Sequence, residues 1–177
     1  MKALHILLLA TLPLAYSAQN GTVLNPILPG FHPDPSCISV PELPYNHTFF
    51  CASSSFSVFP GIPLHASKDL VNWRLISNAL SRPEQLPALA LTNKSTSGIW
   101  APALRYHEGV FYILTTLVFD DQPQTNFSRW DNFILSTTDP VGRQIAKTQV
   151  GVQSTLTILL QVQFLLLVQP YPLQLHR

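Results

Sequence analysis

Residues 97–116 read SGIWAPALRYHEGVFYILTT. Two short apolar and aromatic runs, 103–106 and 110–117, flank Glu108-Gly109, a pair suited to a tight reversal. The stretch reads as a β-hairpin. Downstream, residues 132–137 repeat the same composition, and upstream the group begins at Ile99. An earlier group has the same spacing: residues 36–40, 48–53, 61–67 and 72–76 are apolar, β-branched or aromatic runs. A turn at Lys68-Asp69-Leu70 separates the last two. Residues 77–98 carry Ser, Asn, Pro and Gly without period and are expected to be a linking loop. The class is all-β. Two successive four-stranded units joined by long loops suggest propeller blades more than a closed sandwich.

With 177 residues, 46% of them apolar and 11% charged, the chain has the length of one ordinary domain and can bury a core. A net charge of +1 without a basic stripe points to neither nucleic acid nor an acidic partner. Residues 1–18 have a lysine, an apolar run, then small residues at Ala15, Ser17 and Ala18, the pattern of a secretory signal peptide. Sequons at Asn20, Asn46, Asn93 and Asn126 fit a secreted, surface-glycosylated chain. Cys37 and Cys51, the only cysteines, form either a disulfide across a hairpin or two buried thiols.

Composition breaks after Gly142. All nine Asp and Glu residues lie between Asp34 and Asp139, while residues 143–177 are filled with Gln, Leu and Val. The apolar part, 156–168, is interrupted by Gln161 and Gln163 and is shorter than the ~20 residues a membrane-spanning helix needs. No membrane association is expected. Residues 143–177 read as an aberrant or disordered tail, from a stray reading frame or mis-joined exon, or else as a terminal strand pair.

In GFHPDPS, residues 30–36, Pro33 and Pro35 stiffen the chain on both sides of Asp34. Such rigidity suits a side chain that must be aimed, although an Asx-type turn explains the residue too. Together with the stretches 49–76 and 97–116, the segment NPILPGFHPDPSCISV at 25–40 closely resembles the N-terminal part of family 43 glycoside hydrolases. These are five-bladed β-propeller β-xylosidases and α-L-arabinofuranosidases. The resemblance runs from about Asn25 to Gly142. It implies a partial glycosidase domain over residues 19–142, holding about the first two blades.

By that resemblance Asp34 is the general base that activates water. An inverting glycosidase needs one carboxylate for this and a second to protonate the leaving oxygen. Phe56 and Trp100 match aromatic walls of the first sugar subsite, apolar rings being suited to the C–H faces of a neutral oligosaccharide. Asp131 falls near the expected cavity. Phe59, Trp73 and Phe111 are expected in the core, Asp69 in a structural turn, and Asp120, Asp121 and Asp139 as surface loop charges. His32, beside Asp34, is expected to pack or hydrogen-bond.

Family members carry an Asp-Pro-Ser motif beyond the second blade and a later catalytic Glu, and neither is present. Glu42, Glu84 and Glu108 do not match the acid motif. The expectation is an N-terminal piece of a secreted exo-acting hydrolase with negligible turnover, no cofactor and no metal. The alternatives are a non-catalytic sugar-binding remnant or an unstable product of a faulty gene model. Xylosidase and arabinofuranosidase are not separated.

Overall fold

The computed structural model describes residues 25–141 and the backbone of residues 147–150. The signal-peptide reading, Asn20 and residues 151–177 lie outside them. Strands β1 (Ser36–Val40), β2 (Thr48–Ala52), β3 (Gly61–Ser67) and β4 (Arg74–Leu80) form one antiparallel sheet in that order. Strands β5 (Gly98–His107), β6 (Val110–Val118), β7 (Trp130–Thr137) and β8 (Lys147–Val150) form a second. Each sheet is a meander, in which every strand pairs with its sequence neighbours, so the connections can be short.

One core joins the two sheets. Val40, Phe50, Ile62, Leu64 and Leu80 of the first pack with Ile99, Leu104, Phe111, Ile113, Leu117, Phe133 and Leu135 of the second. Alternation along β7 sends Phe133 and Leu135 inward. Phe111 sits in this core, where edge-to-face contacts link it to Phe50 and Tyr45 at centroid distances of 5.0 and 5.1 Å. Tyr45 also meets Tyr106 edge-on and donates its hydroxyl to Thr138 O, tying the β1–β2 loop to the second sheet. Cys37 and Cys51 face each other in the β1–β2 register and form a disulfide.

The strand reading shifts in three places. The fourth strand is Arg74–Leu80 instead of 72–76, because the Asp69 carboxylate accepts the Val71 and Asn72 amides at 2.9 and 2.7 Å and holds them in the turn. These bonds, the Asn72 amide foremost, keep the Asp69 carboxyl well below the usual range. Second, the supposed loop 77–98 contributes the buried end of β4 and two 3₁₀ turns, Pro83–Gln85 and Pro87–Leu91, whose Leu86 and Leu89 join the core. Third, the second sheet takes its outer strand, β8, from beyond the composition break, pairing Phe133–Ser136 with 147–150.

Three side-chain expectations change as well. Phe59 is 43% exposed, in the loop entering β3, where it borders an apolar groove of about 480 Å³ with Leu80, Leu86 and Leu89. Trp73 is half-buried, donating its indole N–H to Leu70 O at the strand's start. Asp120 is no free surface charge: its carboxylate accepts from Thr96 Oγ1 at 2.5 Å and pairs with the guanidinium of Arg129, itself 6% exposed. Arg129 also donates to the carbonyls of Asp120 and Gln122, closing the 119–129 loop on itself. Asn46 and Asn93 are exposed as expected of sequons, whereas Asn126 is half-buried and caps a 3₁₀ turn by accepting the Ser128 amide.

Candidate functional site

The site begins with a residue that cannot join a ladder. Pro102 has no N–H, and the β5–β6 register slips there: Trp100 pairs with Thr116, but Ala103 pairs with Leu114. Two residues of β5 therefore face one of β6, a bulge that turns the strand and re-aims its side chains. Ala101, at the bulge, has φ 47°. Its amide is free to point out of the sheet, and Ser54 Oγ accepts it at 2.7 Å. The Ser54 hydroxyl in turn donates to Asp34 Oδ2 at 2.7 Å, and the Ser54 amide donates to Pro33 O at 3.0 Å.

Asp34 is exposed, with φ 51°, and is held on one carboxylate oxygen by Ser54. The prolines fix its flanks, and a side chain 3% exposed fixes its head group. The second oxygen has no partner among the described residues, which suits a carboxylate that must meet water.

Two aromatic rings are built into the same junction. Phe56 and Ile99 exchange amide hydrogen bonds at 3.0 and 3.1 Å, a bridge between the two sheets. Gly98 makes this approach feasible: a Cβ there would stand 2.1 Å from the Phe56 carbonyl carbon, and its φ of +105° is open to glycine. Trp100 is anchored by its indole N–H on Thr96 O at 2.8 Å and by Thr115 Oγ1 donating to its carbonyl at 2.6 Å. The Phe56 and Trp100 rings meet at 6.1 Å and 61°, forming a corner. Trp130 backs Trp100 at 6.0 Å, and the Arg129 guanidinium lies 5.3 Å from the Trp130 ring centroid.

The structure thus brings Asp34, Phe56 and Trp100 together through Ser54, Ala101 and the Phe56–Ile99 bridge. Asp131 takes another position. It pairs with Leu117, and burial raises its carboxyl above the ordinary range. Its neighbour Asn132 lines a hollow of about 200 Å³ with Trp100, Ala101, Ala103, Leu114, Thr115 and Thr116. Strand alternation sends Asp131 to the opposite face.

Behind Asp34, the His32 ring meets His65 edge-on at 4.9 Å. Burial, then the neighbouring His32, lowers the His65 pKa, which favours the neutral form of the His65 ring. The pair packs, as expected for His32.

The glycosyl hydrolases family 43 model matches residues 23–156. The chain belongs to that family. It is 47% identical over 100 residues to the non-reducing end alpha-L-arabinofuranosidase BoGH43B of Bacteroides ovatus, covering 56% of this chain and 18% of that protein. It is 42% identical over 94 residues to a beta-xylosidase of Bacillus subtilis, covering 53% and 16%. Among solved structures, the GH43 BlXynB protein of Bacillus licheniformis superimposes with TM-score 0.59 at 34% identity, over 72% of this chain and 24% of that one. The chain spans less than a quarter of the length of each of these family 43 relatives.

Three residues at this family 43 junction escape a reading of the sequence. Nothing local marks Ser54 among Ser53, Ser54 and Ser55, yet Ser55 Oγ accepts the Ile62 amide while Ser54 alone reaches Asp34. Asn132 and Trp130 flank Asp131 and look like ordinary strand residues. The one sequence signal was Pro102 inside a strand, which announces a bulge.

Proposed function

We propose that this chain supplies the water-activating base and the aromatic wall of a secreted, inverting exo-glycosidase acting on xylan- or arabinan-derived oligosaccharides. The two sheets are the first two blades of its five-bladed propeller. One observation carries the reading: Asp34, in the segment matched by the family model, has a carboxylate oxygen without a partner among the described residues and is tied through Ser54 to the bulge beside the Phe56–Trp100 corner. A sugar ring lying against the corner presents its C–H face to the rings. Asp34 Oδ1 then takes a proton from water as that water attacks the anomeric carbon from the face opposite the leaving oxygen. Ser54 keeps Oδ2 occupied and the carboxylate plane fixed.

The second carboxylic acid must stand roughly 6.5–9.5 Å away, across the sugar. No Asp or Glu follows Asp139 in this chain, and the acid belongs to the part of the relatives' length that it does not span. Sugar binding without turnover is therefore the expected behaviour of this polypeptide. The Cys37–Cys51 disulfide supports an oxidising, extracytoplasmic setting, as does the leader-like segment 1–18.

The test is an assay of the purified chain on aryl β-xylosides and aryl α-L-arabinofuranosides. No hydrolysis above buffer is expected. Turnover abolished by Asp34→Asn would show that the chain carries its own acid and would overturn the incomplete-site reading.

A further inference from the structure

Phe31 lies outside the corner just described. Its side chain is 77% exposed, a position at which a phenylalanine gains nothing from burial. Yet its backbone is not loose. Gly30, at φ +114°, turns the chain beneath it, and the Pro33 carbonyl next along is bonded to the Ser54 amide. The ring lies 5.9 Å from Phe56 with only 32° between planes, unlike the steep corner between Phe56 and Trp100. Phe31 therefore sets a second, more exposed ring next to Phe56, on the same segment that carries Asp34.

We propose that Phe31 holds a second sugar unit, the leaving-group sugar of a neutral disaccharide or longer chain, when the first sits in the Phe56–Trp100 corner. This inference rests on the sugar-binding reading above and adds a specificity residue to it. The chemistry is that of a C–H face on an exposed ring, with no charge and no metal required. It makes chain length the quantity that Phe31 reads. A ligand of one sugar ends at the corner and never reaches it. Phe127, still more exposed, has no aromatic neighbour among the described residues and stands apart from the corner.

The experiment is an NMR titration of the full chain with xylose, xylobiose, arabinose and arabinobiose, repeated on Phe31→Ala and Phe31→Trp. At least one disaccharide is expected to bind more tightly than its monosaccharide. Phe31→Ala should remove that advantage, roughly two- to tenfold, while leaving monosaccharide affinity and Tm unchanged, and Phe31→Trp should keep it. Equal affinity for mono- and disaccharide, or a preference that survives Phe31→Ala, overturns the assignment of Phe31 while the sugar-binding reading stands. Binding of no sugar at all overturns both.

Discussion

Ser54 is a small side chain with two jobs. Its hydroxyl accepts the amide released by the Ala101 bulge and donates to Asp34, so the position of the carboxylate is tied to the wall that Trp100 forms. Ser54→Ala removes both bonds, one of them to a charged acceptor, and is expected to cost about 1–2 kcal/mol in urea unfolding. In the same variant the Ala101 amide should exchange faster with deuterium. Ser54→Thr, which keeps the hydroxyl, should restore most of that protection. An unchanged Ala101 amide in Ser54→Ala would show that the relay is not made in solution.

His65 sets a pH dependence whose sign follows from its surroundings. Burial and the adjacent His32 push its pKa below the ordinary 6.5. Between its lowered native value and 6.5 the unfolded chain binds the proton that the folded chain refuses, so stability is complete above pH 6.5 and falls as pH drops below it. The Tm should decline from about pH 7 to pH 5, and His65→Gln should make the decline shallower. A parallel decline in both proteins would remove His65 as its source.

At the scale of elements, Arg129, a buried cation, closes the 119–129 loop, which Lys94, Thr96 and Ser97 also bond at Asp120. Arg129 bonds the Asp120 carboxylate and two loop carbonyls and lies against Trp130, which backs Trp100. Arg129→Met keeps the apolar stem but removes the guanidinium from these acceptors, of which Asp120 retains Thr96 and Lys94 as donors, and a loss of about 2–3 kcal/mol is expected by chemical denaturation. Arg129→Lys should recover only part of it, since an ammonium has no planar fork. Full recovery by lysine would mean that charge alone holds the loop. Local composition did not foretell this element. Asp120 reads as a loop charge because its partner lies nine residues on, and only folding of the loop brings them together.

At the scale of the molecule, the two sheets share one core. Leu104 is fully buried where β5 packs against the first sheet, and Leu104→Ala should cost about 2–5 kcal/mol. Because the core is common, a disulfide-proximal probe in the first sheet and, in a Trp73→Phe background, the Trp100 and Trp130 fluorescence of the second should report one coincident transition, with and without Leu104→Ala. Two separated midpoints would mean that the sheets fold independently.

Most of the all-β class was legible in residues 36–67 and 97–137, because strand periodicity and turn residues are local properties of the chain. So was Asp34, whose flanking prolines and companion motifs mark it within a continuous segment. By itself the sequence determined most of the strands and the family, and it singled out one carboxylate as a candidate. The tertiary structure alone decided which oxygen that carboxylate presents, which serine holds it, that Asn132 lines the hollow while Asp131 faces away, and that β8 is drawn from beyond the composition break. Each of these depends on a register or on a meeting between the two sheets, and such contacts join residues tens of positions apart that no window along the chain contains.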